Sequence, residues 1–404
     1  SPSRTMERQH FRMIAQTLFG LEEVLRAELV RLGARDIERH NRAVSFSGDQ
    51  GFLYKTNLCL RTAIRILVPI GSFDARNTED LYLGIKRIKW DQFLSNADTF
   101  VIKCTLNTYW TDHSQFMAQK CKDAIVDRFR EKTGRRPSVH LHDPMLRIHV
   151  HIINERVTVS LDSSGGSLHE RGYRQETNAA PLNEVLAAGM VQLSGWDGKV
   201  PLVDPMCGSG TLLVEAALFA ANIPPGIYRP AFGFQRWLDF DEELYDTIRT
   251  AMIARISEAR PVIIGGDVNR VTVSKARATV AAAQLEDSIT IRQSAFADLE
   301  PPEGTGMLIM NPPYGERMDE QGIGSESSPE AIQELYTMIG DTLKKRWTGW
   351  TAWVLTSNLE AAKHIRLTPK PKIQLFNGAL DCRMLRYDLY AGSRRLTPLP
   401  PRED

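Results

Sequence analysis

The chain has 404 residues, 42% of them hydrophobic and 25% charged, with a formal net charge of +1. That length and mixture suit two or three globular domains and exclude a disordered or fibrous chain. The charge is uneven: residues 1–165 hold 25 Lys and Arg against 19 Asp and Glu, a net of +6, and the rest hold 25 against 30, a net of −5, so a basic front module precedes a mildly acidic one.

In chain order, residues 18–33 have a helical face of Leu21, Val24, Leu25, Leu29 and Leu32, and Gly33 stands where a C-cap glycine belongs. Residues 43–46 and 65–70 read as strands. A second unit follows, with a strand at 99–106 and a helix at 114–132 in which Lys120, Lys122, Arg128 and Arg130 alternate with apolar residues. Strands at 146–153 and 156–162 turn at Asn154-Glu155, and Gly165-Gly166 breaks the pattern. Residues 168–177 (LHERGYRQET) are polar and suit a linker.

From Pro181 the texture changes. Short apolar strands at 200–204, 262–267, 289–293, 307–310 and 351–356 alternate with helices at 211–221, 271–283 and 329–343. Continuous apolar strands between helices imply a mostly parallel sheet covered on both faces. Strands at 372–376 and 384–390 flank Asn377-Gly378 as an antiparallel hairpin. Residues 222–259 are a long interruption, and its aromatics Tyr228, Phe232, Phe234 and Trp237 are expected to pack rather than to stack on bases.

Three motifs follow strands of that sheet. Asp204-Pro205-Met206-Cys207-Gly208-Ser209-Gly210-Thr211 leaves a strand and opens a helix. Its glycines permit a tight turn against a ligand, and the helix N-terminus offers free N–H groups. It is neither the dinucleotide fingerprint nor, lacking Lys, a P-loop. Gly265-Gly266-Asp267-Val268 ends the next strand, where an acid can accept bonds from the two hydroxyls of a ribose. Asn311-Pro312-Pro313-Tyr314 follows the strand at 307–310. An aromatic amine delocalises its lone pair into its ring and is a poor nucleophile. The Asn311 side-chain oxygen and the Pro312 carbonyl, on a turn stiffened by proline, can hold such an amine and aim its lone pair, and Tyr314 is expected to offer a flat face to a flipped base. Ser294-Ala295-Phe296 lies where an adenine would sit, with Phe296 either stacking on it or packing inward. Glu215 is expected to cap or pair on its helix.

Other chemistry is excluded more easily. Cys59, Cys104, Cys121, Cys207 and Cys382 are odd in number, widely spaced and without a CxxC, which argues against a disulfide framework and a zinc site and for a reducing compartment, the cytoplasm. His140, His142, His149 and His151 lack accompanying acids or cysteines, so no metal is expected there. No apolar run reaches the ~18 residues of a membrane span. The first residues lack a signal peptide's apolar region, and residues 1–5 read as a cloning remnant before Met6.

Together, DPMCGSGT, NPPYGERM (311–318), LHERGYR (168–174), APLNE (180–184) and NGALDC (377–382) closely resemble the THUMP-domain RNA methyltransferases, and DLYLGI (80–85) and KDAIVD (122–127) resemble their RNA-binding front part. The likeness runs from about Gln16 to Tyr390 and is nearest to the N-terminal half of the enzymes that methylate guanine N2 in 23S rRNA. It implies an α/β fold: a Rossmann-like class I methyltransferase domain, doubly wound with a C-terminal hairpin (181–395), after a ferredoxin-like domain (6–70), a THUMP domain (71–165) and a linker (166–180). It implies S-adenosylmethionine as cofactor and RNA as partner, gripped mainly through phosphates. Pro181 would cover the cofactor's methionine. Asp204, Pro205, Met206, Cys207, Gly208, Gly210 and Thr211 would form its pocket, with Asp267 and Val268 at the ribose, Ala295 and Phe296 near the adenine, and Asn311 beside the methyl donor. Asn311, Pro312, Pro313 and Tyr314 would hold the base. Relatives often carry Asp where this chain has Ser294, and some continue into a second methyltransferase domain, so one reaction is expected here. The rivals are a tRNA guanine-N2 methyltransferase, a DNA adenine-N6 methyltransferase and a non-catalytic RNA-binding assembly factor.

Overall fold

The computed structural model describes residues 9–174, 182–315 and 328–391, and the chain divides into two compact units. Pro181, the end of the linker and residues 316–318 of the NPPYGERM run lie outside the described residues.

The first unit takes residues 9–172 together with Pro224–Arg255. Its sheet has eight strands: β1 (Phe11–Gln16), β2 (Arg35–His40), β3 (Ala43–Gly48), β4 (Arg65–Asp74), β5 (Thr99–Asn107), β6 (Ser138–Val139), β7 (Leu146–Ile153) and β8 (Arg156–Asp162), in the order β2-β3-β1-β4-β8-β7-β5-β6. One long strand joins two halves, for β4 pairs with β1 near its start and with β8 from Leu67 to Asp74. The division expected at residues 70 and 71 therefore falls inside β4. A register shift between Pro69 and Gly71 lies where Pro69 has no N–H to give the ladder. One helix spans Glu22–Leu32 and ends on Gly33 at φ 97°. Another, Ser114–Thr133, buries Met117, Cys121, Ala124, Ile125 and Phe129 and leaves Arg130 exposed and Lys120 and Lys122 half-buried, while Arg128 turns in to donate to the Lys86 carbonyl at 2.8 Å.

Pro224–Arg255 completes the core of this unit. The Phe234 ring stacks on Tyr54 with centroids 4.4 Å apart, Phe232 stacks on Phe234 at 5.3 Å, and Tyr245 meets Phe234 edge-on at 5.5 Å. Phe232 and Phe234 are buried among Met13, Phe46 and Leu53. These aromatics pack, as their apolar bulk suggests, but their partners come from the front of the chain. Arg229 fixes the segment by donating to the carbonyls of Ser164 (3.0 Å), Ser167 (2.9 Å) and Glu170 (3.0 Å).

The second unit carries β9 (Leu202–Asp204), β10 (Ile263–Asp267), β11 (Ile289–Gln293), β12 (Met307–Met310), β13 (Thr351–Thr356), β14 (Lys372–Asn377) and β15 (Leu380–Asp388). Their order is β11-β10-β9-β12-β13-β15-β14, parallel from β11 to β13 and antiparallel through β15 and β14. This is the doubly wound sheet with a terminal hairpin that the alternation of apolar strands and helices predicts. Val203, Ile264, Leu308 and Met310 bury one face against Tyr336, Leu343 and Trp347. No helix among the described residues is long and apolar enough to cross a membrane.

Candidate active site

β9 lies between β10 and β12. The chain leaves β9 for a neighbour on one side and later returns to the other side, which opens a crevice at the carboxyl ends of these strands. Leu202 is level with Ile263 on β10 and with Met307 on β12. The three motifs, beginning at Asp204, at Gly265 and at Asn311, thus emerge side by side from adjacent strands.

The first motif turns at Gly208, whose φ of +52° favours glycine and whose Cβ position has no atom within 4 Å. Gly210, at φ 85°, is the N-cap of the helix Thr211–Ala220 and brings no side-chain acceptor to it. The Gly208 N–H donates to Asp267 Oδ2 at 3.3 Å, and Asn269 N–H donates to its Oδ1 at 2.9 Å. Asp204 is 1% exposed. Burial, opposed by the Met206 N–H and reinforced by the charge of Asp267, pushes its carboxyl up to about 8. Cys207 is buried, its sulfur 3.7 Å from the Gly208 carbonyl and 3.2 Å from where a Cβ on Gly265 would stand, and burial raises its pKa. Pro205 is buried, Met206 is half-buried and Val268 is exposed.

Two rings of the expected site are buried in this structure. Phe296 is 2% exposed and packs with Trp347 at 6.0 Å between centroids. Of the two roles open to it, this structure shows the packed one; Ser294 and Ala295 beside it stay half-buried, and Ser294 N–H donates to the Asp267 carbonyl at 2.9 Å. Tyr314 is 3% exposed. Its hydroxyl draws it inward, donating to Asn311 Oδ1 and accepting from Asn377 Nδ2 at 3.2 Å. Burial raises the phenol's pKa, so it remains a donor.

The remaining carbonyls of that turn differ in what they meet. Tyr336 Oη donates to the Pro313 carbonyl at 3.0 Å, and Asn358 Nδ2 donates to the Tyr314 carbonyl at 2.9 Å. The Pro312 carbonyl accepts no hydrogen bond among the described residues. The turn therefore holds two of its oxygens and leaves Pro312 O, next to Asn311, to accept from elsewhere.

Sequence reasoning missed a buried polar cluster beside the first motif. Arg174 contacts Glu184, donates to the Leu182 carbonyl at 2.7 Å and lies 3.3 Å from Thr211 Oγ1. Tyr173 Oη donates to Glu215 Oε2 at 2.6 Å, so Glu215 pairs rather than caps. The available signal was the run of charged residues on both sides of the linker (Arg174, Glu184), which a solvated linker does not need. Among the described residues no group of three or more His, Cys, Asp or Glu is arranged to hold a metal. His149 is half-buried beside Arg65, Lys103 and Arg147, and burial and those charges lower it to about 3.

Three family descriptions match: an RMKL-like methyltransferase domain over residues 171–386, a THUMP domain over 75–162 and an RlmL ferredoxin-like domain over 12–67. "Putative RNA methyltransferase slr0064" of Synechocystis sp. is 41% identical over 95% of this chain and 97% of its own length. The "Ribosomal RNA large subunit methyltransferase K/L" of Syntrophotalea carbinolica is 38% identical over 92% of this chain but only 52% of its own, so this chain spans about half of that relative. Among solved structures, SMU.472, "a putative methyltransferase complexed with SAH", superposes with a TM-score of 0.83 at 29% identity, covering 95% of this chain and all of that one. The chain belongs to the RMKL-like methyltransferases, with a ferredoxin-like and a THUMP domain ahead of the methyltransferase domain.

Proposed function

We propose that this protein transfers a methyl group from S-adenosylmethionine to the exocyclic N2 amine of a guanine in 23S rRNA. The observation that carries the reading is the pair of acceptors at the end of β12, Asn311 Oδ1 and the Pro312 carbonyl, beside the acidic crevice of Asp204 and Asp267 and on a chain with a THUMP domain. The residues fit the cofactor: two carboxylates suit a ligand bearing a sulfonium and an ammonium, Asp267 suits a ribose diol, and the empty space at the Gly208 Cβ leaves the turn open to a close neighbour. When bound, S-adenosylmethionine supplies a methyl group already activated by its positive sulfur.

The chain's own residues then do positional work. Asn311 Oδ1 and the Pro312 carbonyl accept the two N–H bonds of the amine, which turns its lone pair out of conjugation. Asp204 and Asp267 would hold the cofactor, with Met206, Gly208 and Val268 along it. A base reaches this crevice unstacked, at a cost of a few kcal/mol that is least for an unpaired nucleotide. The basic helix Ser114–Thr133 of the THUMP domain supports phosphate contacts that give affinity without choosing sequence.

Tritiated methyl transfer to undermodified 23S rRNA, bulk tRNA and duplex DNA, followed by digestion to nucleosides, tests this. Label as N2-methylguanosine in 23S rRNA is expected. Label only in tRNA, or as N6-methyladenine in DNA, overturns the substrate. Asn311→Ala should cut transfer at least about a hundredfold and leave RNA binding intact; an RNA-binding factor without catalysis would show no transfer in either form.

A further inference from the structure

S-adenosylmethionine carries one anionic group, the carboxylate of its methionine. Asp204 and Asp267 suit its cationic groups and its ribose, and neither acid suits a carboxylate. The turn at Gly208 leads into the helix Thr211–Ala220, whose N-cap, Gly210, brings no side-chain acceptor. The first-turn N–H groups and the helix dipole favour an anion there, but each supplies only a partial charge. A full positive charge beside that turn would fix where the carboxylate lies.

Arg174 brings such a charge. Its Nη2 donates to the Leu182 carbonyl at 2.7 Å and to Thr211 Oγ1 at 3.3 Å, and it contacts Glu184 at the start of the helix Glu184–Leu193. Thr211 Oγ1 lies 3.2 Å from Ser209 Oγ, so one hydroxyl stands between the guanidinium and the Gly-rich turn. All of these contacts use one nitrogen. A guanidinium has five N–H donors on three nitrogens. Nε is buried without an acceptor among the described residues, Nη1 donates to no described atom, and the side chain is 25% exposed. Donors left unmet on a cation beside a ligand crevice point to an acceptor that the ligand brings. A carboxylate has two oxygens to offer them, in charge-assisted bonds. Buried Glu184 offsets part of the charge and holds the guanidinium beside the turn.

We propose that Arg174 binds the carboxylate of S-adenosylmethionine, and so selects a cofactor with an intact amino acid over one without it. This rests on the reading that S-adenosylmethionine lies in the crevice of Asp204 and Asp267. Glu184 then acts through Arg174 as a positioning residue.

Calorimetric binding of the full chain to S-adenosylmethionine and to its decarboxylated form tests the contact, because the two ligands share the sulfonium, the amine and the adenosine. Wild type should bind the first at least about tenfold more tightly, the scale of a hydrogen bond to a charged group. Arg174→Met combined with Glu184→Met leaves no buried charge behind. That pair should bring the ratio close to one, mainly by weakening S-adenosylmethionine, and leave RNA binding in filter assays unchanged. Arg174→Gln combined with Glu184→Gln removes both charges but keeps hydrogen bonding; it should do the same, and it decides the matter should the Met pair fail to fold. A ratio kept at the wild-type value, with both ligands weakened alike, would show that Arg174 only supports the fold. Equal affinity of wild type for the two ligands also overturns the contact, while the reading of the crevice stands. A wild type that binds neither ligand overturns that reading, and the role of Arg174 with it.

Discussion

Asp204 and Asp267 end parallel neighbours in one sheet, and the charge of the second adds to burial in raising the proton affinity of the first. With its carboxyl pushed up to about 8, Asp204 is largely protonated at neutral pH in the empty protein. A cationic ligand favours the carboxylate, so binding at pH 7 must expel a proton. Affinity for S-adenosylmethionine should therefore rise with pH until about 8 and level off. Calorimetry at pH 7 in two buffers of different ionisation enthalpy should find up to one proton released, and none with Asp204→Asn. An affinity flat across that range would separate Asp204 from the cationic end of the ligand.

The same carboxyl and His149 tilt stability in opposite directions. Asp204 rises from 3.8 to about 8, so the folded state holds more protons than the unfolded one between those values, and stability falls as pH climbs through them. His149 drops from 6.5 to about 3, so there the folded state holds fewer protons, and stability falls as pH descends through that window. Urea unfolding followed against pH should show Asp204→Asn flattening the decline above pH 4 and His149→Gln flattening the decline below pH 6.5. Unchanged slopes in both variants would contradict the assignments.

Phe234→Ala removes a ring that is completely buried and stacked on Tyr54. The cost should be about 3–5 kcal/mol, seen as an earlier urea midpoint for the first unit. Gly226→Val adds a test from the backbone side, because a Cβ there meets Leu58 Cα at 2.8 Å. A loss below about 0.5 kcal/mol in both would mean that the segment is not part of that core.

Arg174→Ala leaves Glu184, whose side chain is 3% exposed, as a buried charge without its cation. A destabilisation of about 3–5 kcal/mol is expected in chemical denaturation. Replacing both by Met should recover much of it, since an apolar pair of that size carries no desolvation cost. Equal losses in the single and double variants would show that the ion pair is not what the site depends on.

How much of this was legible in the sequence varied with the range of the interaction. β12 and its NPPY turn were legible because a strand buried on both faces reads as a continuous apolar run. β2 was not: in Arg35-Asp36-Ile37-Glu38-Arg39-His40 only Ile37 is even half-buried, so an edge strand left no alternation to read. The helix Gln50–Cys59 was missed because it buries Gly51, Leu53, Tyr54, Thr56, Asn57 and Leu58 on several sides, leaving no single apolar stripe. The site's strand ends and motifs followed from local pattern, but two of its rings did not. Tyr314 is turned inward by Asn377, 63 residues away, and Phe296 by Trp347 on a later helix end. No local pattern carries such a choice.

The path of the chain through the first unit sets an order on synthesis. Tyr54 leaves the ribosome long before Phe234 and Tyr245, the rings that cover it. The apolar surface around it stays open to water, or to whatever protects nascent chains, until the chain has been made to Arg255. β9, the first strand of the second sheet, is made before the first unit can close. A fragment ending at Gly172 would carry the ferredoxin-like and THUMP domains in sequence yet expose the face that Pro224–Arg255 seals, and would be expected to aggregate where the longer chain does not.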